Sequence, residues 1–529
     1  MNEDLEQWEV RKRAVTHADG MVAAQHVLAA RAGAAMLDAG GNAVDAAVAC
    51  AFALNVVEPW MCGLGGSGYM VVWHAAEKRA EVVDFQGVLP MAIDFADYPL
   101  DPEVPDSLMG FPGVRDNRNV VGYGAATVPG AVAGLSLGLE RFGTLGFDTV
   151  LGPTIALARR GLPVSWFATM HVSLAMANLK NDPAAAEIYL PGGVPLQPET
   201  YRPLGPLART LETLAAKGPR EFYEGELGAR IAQDLQAGGS RITLEDLAGY
   251  VPILHAPLSA SHRGAAIHTA GETSGGPRLI EALGEIEREL DPARGVGAHT
   301  YLTYARALNN AFHSHKVRIG RIAEGGCTSH MSAIDRDGNM VALTYTLLNR
   351  FGANVVLPQT GILMNNAVSY FDPRPGFPTS MEGGKRINAS NMCPTIAARE
   401  GGYGFAVGAS GANHIVPCTT QITALLLDYG LDLETAFNTP RIDAGDRDSV
   451  RVDPAVGSEV LAEMAEHFPL EVAQQMVFPK LYSCPSAVMF DPDTGMCAGM
   501  GDKSMPVSGA AAPAPFALDT EEGAHGERA

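Results

Sequence analysis

The chain has 529 residues, of which 59 are acidic and 38 basic, so its formal net charge at pH 7 is −21. An acidic balance of this size opposes nonspecific binding to nucleic acid or to an anionic membrane surface. With 47% hydrophobic and 18% charged residues, the composition is typical of a folded globular protein and excludes a largely disordered one. The seven cysteines are odd in number and no two have CxxC spacing, which argues against a disulfide framework and against a zinc site.

The N-terminal segment MNEDLEQWEVRKRAV mixes both charges and lacks the apolar region of a secretory signal. The longest apolar stretch, 43–57, contains Asp45 and Asn55 and is too short to span a bilayer. We therefore expect a soluble, cytoplasmic protein that has neither a membrane nor a nucleic acid as its partner.

Two helices are predicted near the N-terminus. Residues 23–38 should form a helix that ends at a Gly-Gly pair. Asn42 is expected to cap a second helix over 43–57, with Asp45 as its capping-box partner. This second helix is apolar on nearly every side, so it should lie deep inside the molecule.

The glycine-rich segment GLGGSG at 63–68 fits the dinucleotide-binding pattern Gly-x-Gly-x-x-Gly. That pattern holds a pyrophosphate only when it joins a strand to a following helix. Here a helix precedes the glycines and the strand-like YMVVW follows them. The order favours a tight turn packed closely against its neighbours, without a nucleotide.

The rest of the chain mixes helices and strands without a regular βαβ order. Residues 278–318 are predicted to be helical, and Pro90–Val121 is predicted to be a long loop of the kind that borders a site or moves. After residue 328 strands dominate, and a low-complexity tail from about residue 509 is predicted to be disordered. The fold class is α+β, with antiparallel sheets covered by helices on both outer faces. The later predicted strands are the segments VVLPQTGILM, TIAARE, GFAVGAS, 449–453 and 485–490, and a helix is predicted over 417–429.

The segment EGGCTSHMSAIDRDGNM contains a hairpin that begins with Thr328 directly after Gly325-Gly326-Cys327. Threonine favours strands, so Thr328 could simply begin one. Alternatively, cleavage before Thr328 would make it an N-terminal nucleophile whose own α-amine acts as the general base. The unperturbed pKa of an α-amine, about 7.7–8.0, suits this task near pH 7. The flexible Gly-Gly pair would accommodate a strained peptide bond that cleaves itself.

Other residues could complete such a site. Thr346 lies in the paired strand and could hydrogen bond to the nucleophile, and the turn GASGAN offers the amides of Gly411 and Ala412 as an oxyanion hole. His313 and His315 are two apart on a predicted helix, so they point to different sides and do not form a metal pair, and His330 is expected to make a local hydrogen bond. We expect neither a metal nor another cofactor.

Long segments of the chain resemble γ-glutamyltransferases, in the same order and over roughly residues 15–505. The resemblance implies an N-terminal nucleophile hydrolase with a four-layer αββα sandwich. The segments that carry it are GGNAVDAAVACAFALNVVEPWMCGLGGSGYM, VPGAVAGL, FYEGELGARI, TLEDLAGY, TSHMSAIDRDGNMVALT, GILMNN, NMCPTI, VGASGA and LDYGLDLETAFNTPR.

The resemblance also implies a precursor that cleaves itself between Cys327 and Thr328. The products would be a large subunit, 1–327, and a small subunit, 328–529, held as a heterodimer that could pair into a dimer of heterodimers. The resemblance likewise implies that Thr346 supports the nucleophile, and that Gly411 and Ala412 form the oxyanion hole where the family has Gly-Gly.

The sequence departs from the family at the residues that bind a γ-glutamyl group. Gln86 replaces the arginine for the α-carboxylate, and Tyr370 replaces the aspartate for the α-amino group. Leu348 replaces an asparagine beside Asn349. In the family's Ser-Ser pair, Ser390 remains and Asn391 replaces the second serine. Losing a buried charged partner typically costs about 2–5 kcal/mol, which indicates a changed substrate.

Three functions stay open from the sequence. The first is a family amidohydrolase or acyltransferase acting on a small amide that is not a standard γ-glutamyl compound, for example an oxamate-like acid amide. Arg350 could then supply a relocated carboxylate anchor, although a solvated surface arginine is an equally good interpretation. The second is a true γ-glutamyltransferase or glutathione hydrolase with a rebuilt binding site, and the third is an uncleaved, inactive homologue.

Overall fold

The apolar helix near the N-terminus is present as Ala43–Val57, with all of its residues buried. Asn42 accepts hydrogen bonds from the amides of Val44 and Asp45, and the Asp45 side chain accepts one from the Asn42 amide at 2.7 Å. The predicted capping box and the deep burial are both confirmed. Because this helix has no polar face, the fold must surround it.

The computed structural model describes residues 10–107, 110–319, 327–445 and 449–518. The helices within these ranges, α1 to α14 in chain order, are Val27–Asp38, Ala43–Val57, Ala131–Phe142, Phe147–Arg160, Trp166–Leu179, Pro183–Tyr189, Leu207–Lys217, Glu226–Ala237, Leu244–Ala248, Gly276–Glu289, Ala298–Ile319, Ile415–Asp428, Leu433–Asn438 and Ser458–Ala465. The strands, β1 to β19, are Val15–His17, Gly20–Ala24, Ser67–His74, Arg79–Phe85, Leu162–Val164, Thr200–Arg202, Ile253–His255, Leu258–His262, Ala265–Thr269, Cys327–Asp335, Met340–Leu348, Thr395–Ala398, Gly404–Ser410, Ile442–Asp443, Val450–Val452, Leu470–Val472, Cys484–Asp491, Met496–Gly501 and Gly509–Ala511.

Two seven-stranded antiparallel sheets form the centre of the molecule. Sheet I has the order β1-β18-β17-β13-β12-β9-β8, and sheet II has the order β19-β2-β10-β11-β3-β4-β7. One apolar cluster lies between the sheets and includes Tyr69, Ile334 and Ala406. A second cluster joins sheet II to helices of the first half of the chain, and a third joins sheet I to helices α10 to α14. The fold is therefore the predicted four-layer αββα sandwich.

The glycines of GLGGSG permit close packing between strands. A Cβ placed on Gly65 would lie 2.2 Å from the carbonyl oxygen of Leu363, and one on Gly68 would lie 2.2 Å from the carbonyl oxygen of Thr344. The segment follows α2 and leads into β3, so the prediction of a tightly packed turn is confirmed.

Two structural predictions were wrong. The segment VVLPQTGILM is not a strand, because the chain reverses within it and pairs through two isolated bridges, Val356 with Leu363 and Met364 with Gly65. The tail prediction fails for Gly509–Ala511, which form β19 against β2 because the small residues fit that edge of sheet II. Residues 519–529 and the pair Gly325-Gly326 lie outside the described residues.

Other predictions held with shifted bounds. Residues 278–318 divide into α10 and α11, and the helix predicted from residue 23 begins at Val27 after strand β2. Pro90–Val121 is irregular where it is described, with short 3-10 turns at Phe95–Asp97 and Arg115–Asn117. All seven cysteines are free. Among the described residues, no helix is both long and apolar enough to cross a membrane.

Candidate active site

The start of β10 and the end of β13 meet at one end of the sandwich. A Cβ placed on Gly408 would lie 2.4 Å from the His330 ring, and one on Gly404 would lie 2.8 Å from Met340. Met340 pairs with Ile334, near the other end of β10. The two strands therefore run in opposite directions face to face. This arrangement places the turn after β13 at the same end of the molecule as Thr328.

The Cys327–Thr328 junction is fixed by Thr346 on the neighbouring strand. The Thr346 hydroxyl donates a hydrogen bond to the Cys327 carbonyl oxygen and accepts one from the Leu348 amide at 2.7 Å. The register of β10 and β11 shifts between Cys327 and Ser329, so the strand pairing is irregular at the junction. Thr328 itself is buried. The hydroxyl of Thr346 thus polarises the carbonyl that precedes the candidate nucleophile.

His330 is buried between the sheets and makes local hydrogen bonds, as predicted. Its Nδ1 lies 2.7 Å from the Thr344 hydroxyl and its Nε2 lies 2.9 Å from the Ser332 hydroxyl. Burial lowers the pKa of His330 to about 3, so the ring is neutral near pH 7. In the ranges that the structure describes, no group of three or more residues could hold a metal ion.

The turn after β13 has the geometry of an amide donor site. Gly411 has φ +132° and Ala412 has φ +52°, so Ala412 occupies a left-handed conformation that is uncommon for a residue with a Cβ. The first hydrogen bond of the 3-10 turn runs from the His414 amide to the Gly411 carbonyl. The Gly411 and Ala412 amides precede that bond and have no partner within the turn. Their role as an oxyanion hole stays a prediction.

Gln86 lies in the same end of sheet II, two strands away from Thr346. Thr346 pairs with Ser67, and the Ser67 hydroxyl lies 3.5 Å from Oε1 of Gln86. Gln86 is fully buried, and its Nε2 has no hydrogen-bond partner within the described part of the chain. Arg386 donates a hydrogen bond to the Gln86 backbone carbonyl at 2.9 Å. The neutral Gln86 amide therefore lies near Thr346 with an unused hydrogen-bond donor, and its binding of substrate stays a prediction.

Leu348 and Tyr370 belong to a small apolar cluster instead of a polar clamp. Leu348 has φ +85° and packs with Leu89 and Phe371, and Tyr370 packs against the same cluster and against Phe111. Burial raises the pKa of the Tyr370 phenol, although the positive charge of Arg278 acts against this rise. The cluster gives this side of the site an apolar surface.

Ser390 and Asn391 precede β12 and are both buried. The Ser390 carbonyl accepts a hydrogen bond from Arg278 at 3.0 Å, and the Ser390 hydroxyl accepts one from the Met392 amide at 3.1 Å. These contacts are within the protein, so they hold the loop beside β12. Binding of substrate by Ser390 or Asn391 stays a prediction.

Arg350 is held by a buried histidine. Its Nε donates a hydrogen bond to His171 Nδ1 at 2.8 Å, and the His171 ring stacks on Trp60 with 5.0 Å between ring centroids. Burial raises the pKa of the Cys327 thiol, and the positive charges of Arg350 and Lys480 act against this rise, which places both cations near the junction. This environment does not fit a solvated surface arginine. Beside Arg350, the Asn349 side-chain oxygen is buried without a hydrogen-bond partner among the described residues.

Three residues of this site escaped the sequence analysis. They are Glu58, which accepts a hydrogen bond from Ser329, together with Lys480 and His171. Glu58 carried one signal, because it is a charged residue that directly follows a helix predicted to be apolar on nearly every side. Lys480 and His171 carried none, since each lies far from Thr328 in sequence.

The chain is similar to known proteins over nearly its whole length. The family described as Gamma-glutamyltranspeptidase matches residues 29–320 and 290–511. The Acylase ACY 1 proenzyme of Pseudomonas sp. (strain V22) is 33% identical over 531 residues, which cover 91% of this chain and 92% of that protein. The glutathione hydrolase proenzyme of Escherichia coli (strain K12) is 31% identical over 475 residues, which cover 80% of each protein.

Among solved structures, the cephalosporin acylase from Bacillus halodurans superimposes with a TM-score of 0.82 at 24% identity, covering 97% of this chain and 99% of that one. The fold and these similarities define an enzyme of the N-terminal nucleophile hydrolase class. The chain belongs to the γ-glutamyltranspeptidase family.

Proposed function

We propose that this protein is a self-processing amide hydrolase that uses Thr328 as an N-terminal nucleophile and removes an acyl group other than γ-glutamyl. The observation that carries the proposal is the hydrogen bond from Thr346 to the carbonyl of Cys327. A hydroxyl donor on that oxygen is what attack on the Cys327 carbonyl carbon requires. The proenzyme names of the relatives support a cleaved product with subunits 1–327 and 328–529.

Self-cleavage would proceed through an ester. The Thr328 hydroxyl oxygen attacks the Cys327 carbonyl carbon, the carbon–nitrogen bond breaks, and the nitrogen takes up a proton. Water then hydrolyses the ester. This step restores the Thr328 hydroxyl and leaves a free α-amine on Thr328 and a carboxylate on Cys327.

The same groups then serve the substrate. The Thr328 α-amine accepts the hydroxyl proton as Oγ attacks the amide carbonyl carbon, and it later gives that proton to the leaving amine. The amides of Gly411 and Ala412 stabilise the oxyanion. Water, or an acceptor amine, releases the acyl group from Thr328.

The acyl pocket favours a carboxylate on an apolar body. The hydrogen bond to His171 holds Arg350 in place near the junction, where its guanidinium group could bind a substrate carboxylate. Leu348 and Tyr370 offer apolar surface where a γ-glutamyl α-amino group would need an anion. We therefore propose a monoamide of a dicarboxylic acid as substrate, of which oxamate is the smallest. One relative is called an acylase, which supports removal of an acyl group without naming which one.

Intact mass of purified protein tests the nucleophile. Two fragments split at Cys327–Thr328 are expected for the wild type, and one full-length species is expected for Thr328→Ala. A full-length wild-type species would overturn the proposal.

A matched pair of substrates tests the acyl group. Glutaryl-p-nitroanilide and γ-glutamyl-p-nitroanilide differ only in the α-amino group. We expect kcat/KM to be at least about 10-fold higher for the glutaryl compound, because no anion replaces the family's aspartate at Tyr370. A preference for the γ-glutamyl compound would instead identify a true γ-glutamyltransferase with a rebuilt binding site. The release of ammonia from oxamate is measured in parallel with both anilides.

A further inference from the structure

Glu58 is a carboxylate buried at the end of α2, facing the start of β10. Its exposed fraction is 0%, and Oε2 accepts a hydrogen bond from the Ser329 hydroxyl at 2.8 Å. Its other oxygen, Oε1, has no hydrogen-bond partner within the described residues. A buried carboxylate with an unsatisfied oxygen is unfavourable, so packing alone gives no reason for a glutamate here.

The electrostatic surroundings of Glu58 connect it to the cleavage junction. Burial raises the pKa of Glu58 to about 7, while the Ser329 hydrogen bond and the charge of Lys480 act against this rise. The charge of Glu58 raises the pKa of several neighbouring titratable groups, which are Cys50, Cys62, Cys327, Tyr345 and Lys480. Lys480 is the cation of this set, and its pKa is raised because Cys484 and Glu58 outweigh the lowering effect of burial.

Glu58 acts on both neighbours of Thr328. It bonds directly to the side chain of Ser329 and acts electrostatically on Cys327. Because neighbouring Cα atoms are 3.80 Å apart, the nitrogen of Thr328 lies within about 10 Å of the carboxylate. Cleavage would turn that nitrogen into an ammonium group inside a buried site.

We propose that Glu58 is a positioning residue for the nucleophile: it anchors Ser329 directly after the junction and supplies a buried negative charge, beside the new Cys327 carboxylate, that faces the Thr328 ammonium group after cleavage. This inference rests on the proposed function and deepens it. Without Glu58, the new Cys327 carboxylate would be the anion left at the junction to balance Lys480, Arg350 and the new ammonium group.

The charge of Glu58 should change the pKa of the Thr328 α-amine in a definite direction. A nearby carboxylate favours the protonated amine and raises its pKa. In Glu58→Gln the acceptor for Ser329 remains while the charge is lost, so the pKa of the Thr328 α-amine should fall by about 0.5–1 unit. Ser329→Ala should give a smaller fall, because losing the hydrogen bond raises the pKa of Glu58 and leaves it less ionised near neutral pH.

The α-amine can be titrated without knowing the substrate. Brief acetylation with acetic anhydride at a series of pH values, followed by mass spectrometry of the peptide that begins with Thr328, measures the neutral fraction of the amine. Asp335→Asn is the matched control, because Asp335 is another buried carboxylate at the far end of the same strand, about 23 Å away. The acid limb of the kcat/KM profile on glutaryl-p-nitroanilide provides a second readout.

Each outcome decides one question. Downward shifts in Glu58→Gln and Ser329→Ala, with none in Asp335→Asn, support the role of Glu58. Titration curves of Glu58→Gln and wild type that coincide overturn it. If Glu58→Gln fails to fold or to cleave, Ser329→Ala decides, and a curve equal to the wild type overturns the proposal. A wild type that is not cleaved refutes the proposed function itself, which is a distinct result.

Discussion

Thr346 makes two hydrogen bonds with one hydroxyl, and its donated proton goes to the Cys327 carbonyl. Thr346→Val keeps the shape of the side chain but removes the donor. We expect self-cleavage to slow by about 10²–10³-fold, since an oxyanion donor is worth that much. The measurement is the fraction of full-length chain over time by intact mass.

Thr346→Ser is the control for this substitution, because it keeps the hydroxyl. Cleavage by the serine variant should stay within about 10-fold of the wild type. Equal rates for the valine variant and the wild type would show that Thr346 has no part in cleavage.

Arg350 supports a second prediction on the residue scale. Arg350→Met keeps an unbranched side chain as far as the ε position and removes the charged guanidinium group. We expect kcat/KM to fall by about 10–100-fold for glutaryl-p-nitroanilide and by much less for an uncharged acyl anilide, because only the former carries a carboxylate. Equal losses for both substrates would contradict a carboxylate anchor and indicate a structural role beside His171.

On the scale of elements, β3 depends on the absence of a side chain at Gly68. A Cβ there would lie 2.2 Å from the Thr344 carbonyl in β11. Gly68→Ala should therefore lower the free energy of unfolding by about 2–4 kcal/mol. Thermal or denaturant unfolding, compared with the wild type, measures the change.

Gly284 in α10 is the matched control. A Cβ at Gly284 would meet the flexible Arg288 side chain at 3.8 Å, an ordinary contact, so Gly284→Ala should raise stability by about 0.5–1 kcal/mol through helix propensity. Loss of stability of the same size in both variants would show that the sheet contact is not the cause.

The elements also show what local sequence can predict. Asn42 and Asp45 determine the start of α2 through bonds between near neighbours, so the sequence predicted this start correctly. Residues Val356 and Leu363 looked like parts of one strand, because apolar runs do not reveal where a chain reverses. Strand β19 was missed, since its pairing with β2 joins residues more than 400 positions apart.

The site follows the same rule. Thr328, Thr346 and the turn at Gly411 stand in recognisable segments, so the family resemblance could name them as candidates. Glu58, His171 and Lys480 reach the junction only through folding. Their roles depend on buried charge and stacking, which sequence spacing does not express.

For the whole molecule, buried titratable groups predict how stability depends on pH. Burial lowers the pKa of His26 and of His330 from 6.5 to about 3. Below pH 6.5 the unfolded chain therefore binds two protons at these histidines that the folded chain does not bind. Glu58 opposes this, because its pKa rises from 4.5 to about 7 and the folded chain holds a proton that the unfolded chain releases. The balance is two minus one, or one proton.

We therefore expect these three groups together to make the free energy of unfolding fall by about 1.4 kcal/mol per pH unit as pH drops from 6.5 to 4.5. The lowered pKa values of His74, His171 and His268 steepen this fall, whereas the raised pKa values of Asp84 and Asp335 act against it. Denaturant titrations at fixed ionic strength across this range measure the slope. Stability that rises on acidification would contradict the neutral state of the buried histidines.

The strand orders have a consequence for a cleaved molecule. In sheet II, β2 from before residue 327 lies between β19 and β10 from after it, and in sheet I the edges β1 and β9-β8 enclose β18, β17, β13 and β12. Each fragment thus contributes strands to both sheets, so the backbone hydrogen bonds of each sheet connect the two fragments. Dilution could not separate such fragments, and mixing two finished enzymes would not exchange their halves. A hybrid of two relatives could arise only while its chains are being made and folded.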